Sequence, residues 1–151
     1  MIRKAIMKDV KPIQKLLEPY VQQGLLLPRS LSELYGYLRD YYVYIPDGEE
    51  EPKGVCALHL CWEDLAEIKS LAVHEAHTRQ GIGSRLVETC ISEAITLGLY
   101  KIFALTYRVN FFKRMGFTEV DKSRLPHKIW ADCLKCAKFP ECDESAVLLE
   151  I

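Results

Sequence analysis

Leu71-Ala72-Val73-His74-Glu75-Ala76-His77-Thr78-Arg79-Gln80-Gly81-Ile82-Gly83-Ser84-Arg85-Leu86 is the stretch whose reading decides the fold. The apolar residues Leu71, Ala72 and Val73 end a strand, and a polar loop follows. From Gly83 onward, Leu86, Val87, Cys90, Ile91, Ala94 and Ile95 recur at helical spacing and define one apolar face. Gly81 and Gly83 keep side chains away from backbone amides. Those amides, with the positive end of the helix dipole, form a cradle for an anion. Arg79 and Arg85 offer charge at its rim, with Arg79 the better placed. The alternative is that the glycines only shape a tight strand-to-helix turn.

Working outward, residues 2–6 predict a first strand. Asp9 is read as the cap of a helix in which Ile13, Leu16, Leu17 and Tyr20 repeat at helical spacing, with Pro12 tolerated in its first turn. Ser30 and Glu33 have capping-box spacing, and a second helix is expected to about Leu38. Residues 41–45 and 54–63 are β-rich runs around a turn at Asp47-Gly48. Residues 67–73 make the next strand. Downstream, Gly98 stops the long helix. Residues 99–106 read as a strand, 110–115 as a short helix, and 117–120 and 146–151 as strands. This order predicts an α/β fold in a single domain, residues 1–151, with a mixed central sheet of about six to seven strands flanked by about four helices.

The 151 residues carry 20 Lys and Arg against 21 Asp and Glu, a net charge of -1, which argues against a mainly electrostatic grip on nucleic acid or membrane. Apolar residues are 49% and charged residues 27%, a globular balance with enough length for one core. Met1-Ile2-Arg3-Lys4-Ala5 does not resemble a secretory signal. The longest apolar stretch, residues 54–62, is broken by His59 and is too short to span a bilayer. A cytoplasmic location with reduced thiols is the expectation.

The loop resembles the acyl-coenzyme A loop of the GCN5-related N-acetyltransferase (GNAT) family, whose pattern is Arg or Gln, two residues, Gly, one residue, then Gly or Ala. Thr78 departs from it at the first position. The order of elements and Met115-Gly116-Phe117 after the short helix are also similar to the family, and the resemblance covers almost the whole chain. It implies acetyl-CoA as cosubstrate, with its pyrophosphate on Thr78, Arg79, Gln80, Gly81, Ile82, Gly83 and Ser84, and its pantetheine along Leu71, Ala72 and Val73. Phe112, expected against the cofactor, stands where many members carry a Tyr acid. The acetyl group would pass directly to an amine without a catalytic metal, so positioning and one proton acceptor carry the reaction. Glu67 is the expected acceptor of that proton, with an ordinary solvated glutamate as the alternative. Tyr107 is the hydroxyl candidate for the leaving thiolate, with simple packing as the alternative. His74 and His77 read as surface residues.

Phe112, the segment Gly24-Leu25-Leu26-Leu27-Pro28-Arg29-Ser30, Leu105-Thr106 and Leu125-Pro126 are similar to the acetylglutamate synthase branch, in the form of its acetyltransferase half. L-glutamate and a place in arginine biosynthesis are what this likeness implies. The kinase-like half that carries arginine feedback has no counterpart in this sequence, so that regulation is not transferred. Arg29 and Ser30 are the motif-matched acceptor residues, with Arg29 at the mouth of the site and only shaping the loop as the alternative. Lys69, Arg108 and Lys128 are further cations for a dicarboxylate, each with a solvated surface charge as the alternative. Other acceptors stay open: a polyamine, an antibiotic, or a protein N-terminus or lysine. So do a non-catalytic acyl-CoA-binding module and a metal-stabilised interaction domain. A homodimer is the assembly considered, and neither nucleic acid nor membrane is expected as a partner.

Residues 127–142 read as a Cys-containing insertion. Cys133, Cys136 and Cys142 with His127 have the ligand types of a structural zinc site. Free thiols are the first reading of this triplet, and an iron–sulfur cluster or a disulfide also fits the spacing. Cys56, Cys61 and Cys90 read as core residues.

Overall fold

β1 (Ile2–Lys4) begins the chain and is followed by α1 (Val10–Gln22) and α2 (Leu31–Gly36). Then come β2 (Tyr41–Tyr44), β3 (Gly54–Trp62), β4 (Leu65–Val73) and α3 (Ile82–Thr96). β5 (Lys101–Thr106), α4 (Val109–Arg114), β6 (Thr118–Val120) and β7 (Ser145–Glu150) complete the computed structural model, which describes residues 1–125 and 144–151. The strands hydrogen-bond in the order β1-β2-β3-β4-β5-β7-β6 as a seven-stranded sheet. β4 and β5 are parallel, joined through α3, whereas β1–β2, β2–β3, β5–β7 and β6–β7 are antiparallel. The expected α/β class and mixed sheet are therefore present, with four α-helices among the described residues. The chain forms two compact units, one of Met1–His59 with Ile68–Glu93 and one of Leu60–Glu67 with Ala94–Ile151.

In the first unit, α1 supplies Val10, Ile13, Leu16 and Leu17 to a core shared with Leu34, Tyr41, Val43, Val55, Ala57 and Ala72. The helix residues recur at three- and four-residue steps and the strand residues alternate, so each element turns one apolar face to the others. Burial of each large aliphatic contributes about 1.5–3 kcal/mol. Cys56 on β3 and Cys90 on α3 are fully buried with their sulfurs 3.7 Å apart. Their expected core placement holds, and Cys61 is half-buried at the edge of the other unit's core.

The N-terminus of α1 departs from expectation. Asp9 precedes the helix, but its side chain makes no capping bond. Its carboxylate instead accepts from the Ile6 amide at 2.8 Å and from both terminal nitrogens of Arg3 at 2.7 and 3.2 Å. A charge-assisted fork outcompetes a single helix amide for the same oxygens. Ser30 behaves as expected, accepting from the Glu33 amide at 3.1 Å, although α2 ends at Gly36 and a 3-10 turn, Leu38–Asp40, follows.

Gly54 fixes the seat of α3. A Cβ there would lie 3.1 Å from Ile82 and from Leu86 and 3.2 Å from Tyr44. Gly54→Ala is expected to lower stability by about 1–3 kcal/mol through overpacking. Gly36→Ala, where a Cβ meets nothing within 4 Å, serves as the control. Thermal melts of the two variants check this, and equal Tm values would contradict it.

In the second unit, β5 aligns Lys101–Phe103 with Leu65–Glu67 of β4 and its whole length with β7. Phe103, Leu65, Leu125 and Ala146 form its core.

Candidate active site

The start of α3 leaves backbone amides without partners in their own helix. Arg85 makes the first helical hydrogen bond, to the Gly81 carbonyl at 3.1 Å, so the first-turn amides before it have no carbonyl of their own helix to bond. Gly81 has φ 76° and open space where a Cβ would stand. A side chain there would be strained. Ile82 is buried and anchors the turn, while Gly83 and Ser84 are half-buried and Thr78, Arg79 and Gln80 are exposed.

The loop's departure at Thr78 has a structural account. The Thr78 hydroxyl donates to the Glu75 carbonyl at 3.0 Å, and His74 Nδ1 accepts from the Ala76 amide at 3.2 Å. Together they close the short 3-10 turn Glu75–His77 that leads into the loop. Arg79 has φ 65°, a left-handed backbone that costs a non-glycine residue about 1–2 kcal/mol. Arg85 lies over the Tyr44 ring at 5.7 Å. The exposed Arg79 is thus the arginine carried on the loop itself.

β4 leads into this loop, and its residues alternate: Ala66, Ile68, Ser70 and Ala72 are buried, whereas Glu67, Lys69, Leu71 and Val73 are half-buried. Ser70 has φ 56°, a left-handed residue inside a strand. Its hydroxyl is hydrogen-bonded to that of Tyr41. Burial pushes the Tyr41 phenol up, partly opposed by this bond and by the nearby Arg29 charge. Tyr20 of α1 donates to the Val73 carbonyl at 2.6 Å.

Near the start of α2, Arg29 has a side chain only 10% exposed, and it pairs with Glu33 at 3.6 Å. Its carbonyl accepts from Gln14 Nε2 at 3.1 Å. A second polar group in the same unit went unread in the sequence. His59 Nδ1 lies 2.8 Å from Asp40, its ring meets Tyr37 edge-on at 5.3 Å, and Lys69 Nζ sits 6.0 Å from the Tyr37 ring. His59 lies 19 residues from Asp40 and Lys69 farther still, and no short motif links them.

The remaining expected residues lie in the second unit. Glu67 pairs in register with Phe103. Tyr107 is half-buried and Arg108 is exposed just before α4, its amide bonded to Thr106 Oγ1 at 2.8 Å. Phe112 is 4% exposed and meets Phe111 and Phe117 edge-on, each at 5.1 Å, so its ring belongs to an aromatic cluster. Lys128 and the His127, Cys133, Cys136 and Cys142 group lie outside the described residues. Among the described residues, no group of three or more His, Cys, Asp or Glu side chains is placed to hold a metal. No helix of the described residues is long and apolar enough to cross a membrane.

Residues 11–117 match the sequence model of the Acetyltransferase (GNAT) family. The chain belongs to the GNAT family. It is an acetyl-CoA-dependent N-acetyltransferase, as its relatives and structural neighbours indicate. An uncharacterized N-acetyltransferase of Chlorobaculum tepidum is 38% identical over 147 residues, covering 97% of this chain and 94% of the relative. An amino-acid acetyltransferase of Mycobacterium tuberculosis is 37% identical over 121 residues, covering 80% of this GNAT chain and 69% of the relative. Among solved structures, a Mycobacterium tuberculosis protein in complex with CoA and NLQ superposes with a TM-score of 0.85 at 31% identity, covering 100% and 99% of the two chains. The N-acetylglutamate synthase of Neisseria gonorrhoeae, complexed with coenzyme A and N-acetyl-glutamate, gives 0.88 at 27% identity. That match covers 99% of the GNAT chain but 34% of the synthase.

Proposed function

We propose that this acetyltransferase moves the acetyl group of acetyl-CoA to the α-amine of L-glutamate. The observation that carries the reading is Arg29. A guanidinium this buried suits a carboxylate ligand, and Glu33 alongside it keeps it oriented when no substrate is bound. The likeness to amino-acid acetyltransferases and to a synthase solved with N-acetyl-glutamate supports the same acceptor class.

In this reading the first-turn amides of α3, with Gly81, Gly83, Ser84 and the Arg79 rim, bind the pyrophosphate. Leu71, Ala72 and Val73 line the pantetheine. Arg29, Ser30 and Lys69 bind the glutamate carboxylates, with Arg108 and Lys128 as further cations. The glutamate ammonium gives a proton to the Glu67 carboxylate, and the freed amine attacks the acetyl carbonyl. The carbon–sulfur bond then breaks, the departing thiolate takes a proton from Tyr107, and the second proton of the attacking nitrogen returns to the Tyr107 oxygen as the amide forms, so that one proton in all is left on Glu67. The products are N-acetylglutamate and free CoA, consistent with a place in arginine biosynthesis.

The test is release of CoA thiol from acetyl-CoA and glutamate. Arg29→Ala is expected to raise KM for glutamate roughly 10- to 100-fold while leaving KM for acetyl-CoA near its wild-type value. No turnover with glutamate, alongside turnover with a polyamine, an aminoglycoside or a peptide, would overturn the acceptor.

A further inference from the structure

We infer that Tyr20 and Tyr41 are positioning residues for acetyl transfer, their two hydroxyls holding the Ser70–Val73 backbone of β4 in the course it takes into the loop. The inference rests on the reading above that this half of β4 and its loop hold acetyl-CoA. Three observations carry it. The register of β4 with β5 covers Leu65–Glu67, so the stretch from Ile68 to Val73 lies outside that ladder. Within this stretch Ser70 holds a left-handed backbone, which an L side chain keeps only when its surroundings over-determine it. Two hydroxyls from other elements then attach at its two ends.

At one end, Tyr41 of β2, itself 2% exposed, is hydrogen-bonded to the buried Ser70 hydroxyl. A buried phenol and a buried serine each need a partner, and each satisfies the other. At the other end, the Tyr20 hydroxyl donates to the Val73 carbonyl at 2.6 Å and lies 3.4 Å from the Val73 amide. The next residue continues the anchoring, since the His74 amide donates to the Lys53 carbonyl at 2.8 Å. The backbone entering the loop is therefore fixed by side chains at both ends. Any shift in it moves the carbonyls and amides against which the cofactor arm lies.

The experiment is acetyl-CoA binding by calorimetry, without acceptor, on the full chain. Tyr20→Phe and Tyr41→Phe should each weaken Kd roughly 5- to 10-fold. Ser70→Ala, which removes the hydroxyl that Tyr41 bonds, should weaken Kd about as much as Tyr41→Phe does. Added to Tyr41→Phe, it should weaken Kd by no more than about a further twofold, because the shared bond is already lost, whereas added to Tyr20→Phe it should weaken Kd further. A purely structural role predicts lower Tm with unchanged Kd for both tyrosine variants, and that result overturns the proposal. Fully additive losses for Tyr41→Phe and Ser70→Ala overturn it as well. Wild-type protein that binds acetyl-CoA without acetylating glutamate would refute the acceptor reading alone, with the binding series still deciding on the two tyrosines. Wild-type protein that binds no acetyl-CoA would overturn both.

Discussion

Glu67→Gln is expected to lower kcat by roughly 100-fold or more, the range associated with loss of a positioned proton acceptor. Gln keeps the size and the hydrogen-bonding capacity of the side chain, so folding and acetyl-CoA binding should stay near wild type. Only the ability to take a proton from the acceptor ammonium is removed. The pH profile separates this from a generic defect. With Glu67 present, the enzyme draws on the protonated amine that dominates near neutrality. The variant must wait for amine already deprotonated in solution, so its deficit should narrow as pH rises. A profile parallel to that of the wild type, or a kcat within about threefold of it, removes Glu67 as the base.

Asp9→Ala should be the most damaging single change to stability among those considered, by roughly 3 kcal/mol, or a fall of about 6–12 °C in Tm. The carboxylate is 1% exposed, and its loss leaves the Ile6 amide without this acceptor and takes two hydrogen bonds from the Arg3 guanidinium, which keeps its bond to the Lys4 carbonyl. Burial acts to raise the Asp9 pKa, but the Arg3 hydrogen bonds, the Ile6 amide and the Arg3 charge outweigh it and hold the group below the ordinary carboxylate value. A carboxyl depressed in the folded state contributes stability above its unfolded pKa and loses that contribution as pH falls through the folded one. The wild type should therefore weaken below about pH 4, and Asp9→Asn should weaken less steeply over that window. Denaturant melts across pH 2.5 to 7 read this directly, and identical slopes would sink the assignment.

The parts of the fold visible in the sequence were those in which one local rule acts alone. Gly81 and Gly83 between a strand and an amphipathic face announced the α3 cradle. Ser30 and Glu33 announced α2, because a serine three residues before a glutamate has few competing partners nearby. Asp9 was misread because spacing shows which amide lies downstream but not that Arg3, upstream, forks onto the same carboxylate. Ser70 carried no signal at all, since serine seldom takes a left-handed backbone and the strand pattern around it is regular. Tyr20 and Tyr41 were legible only by their rings, which fit the apolar faces of α1 and β2, while their hydroxyl partners lie 53 residues away for Tyr20 and on a different strand for Tyr41. The His59–Asp40 pair, 19 residues apart, was hidden for the same reason.

The buried sulfur pair has a practical bearing on how turnover is followed. Reagents that report released CoA also react with protein thiolates, and this chain has six cysteines. Cys56 should contribute nothing while the protein is native: its bond to Cys90 and its burial push the thiol well up, so almost no thiolate exists to react. Cys90 is equally sealed from the reagent. A colorimetric titration should therefore gain the equivalents of Cys56 and Cys90 when denaturant is added, which makes the same cuvette an internal gauge of how much of each variant is folded while its turnover is being read.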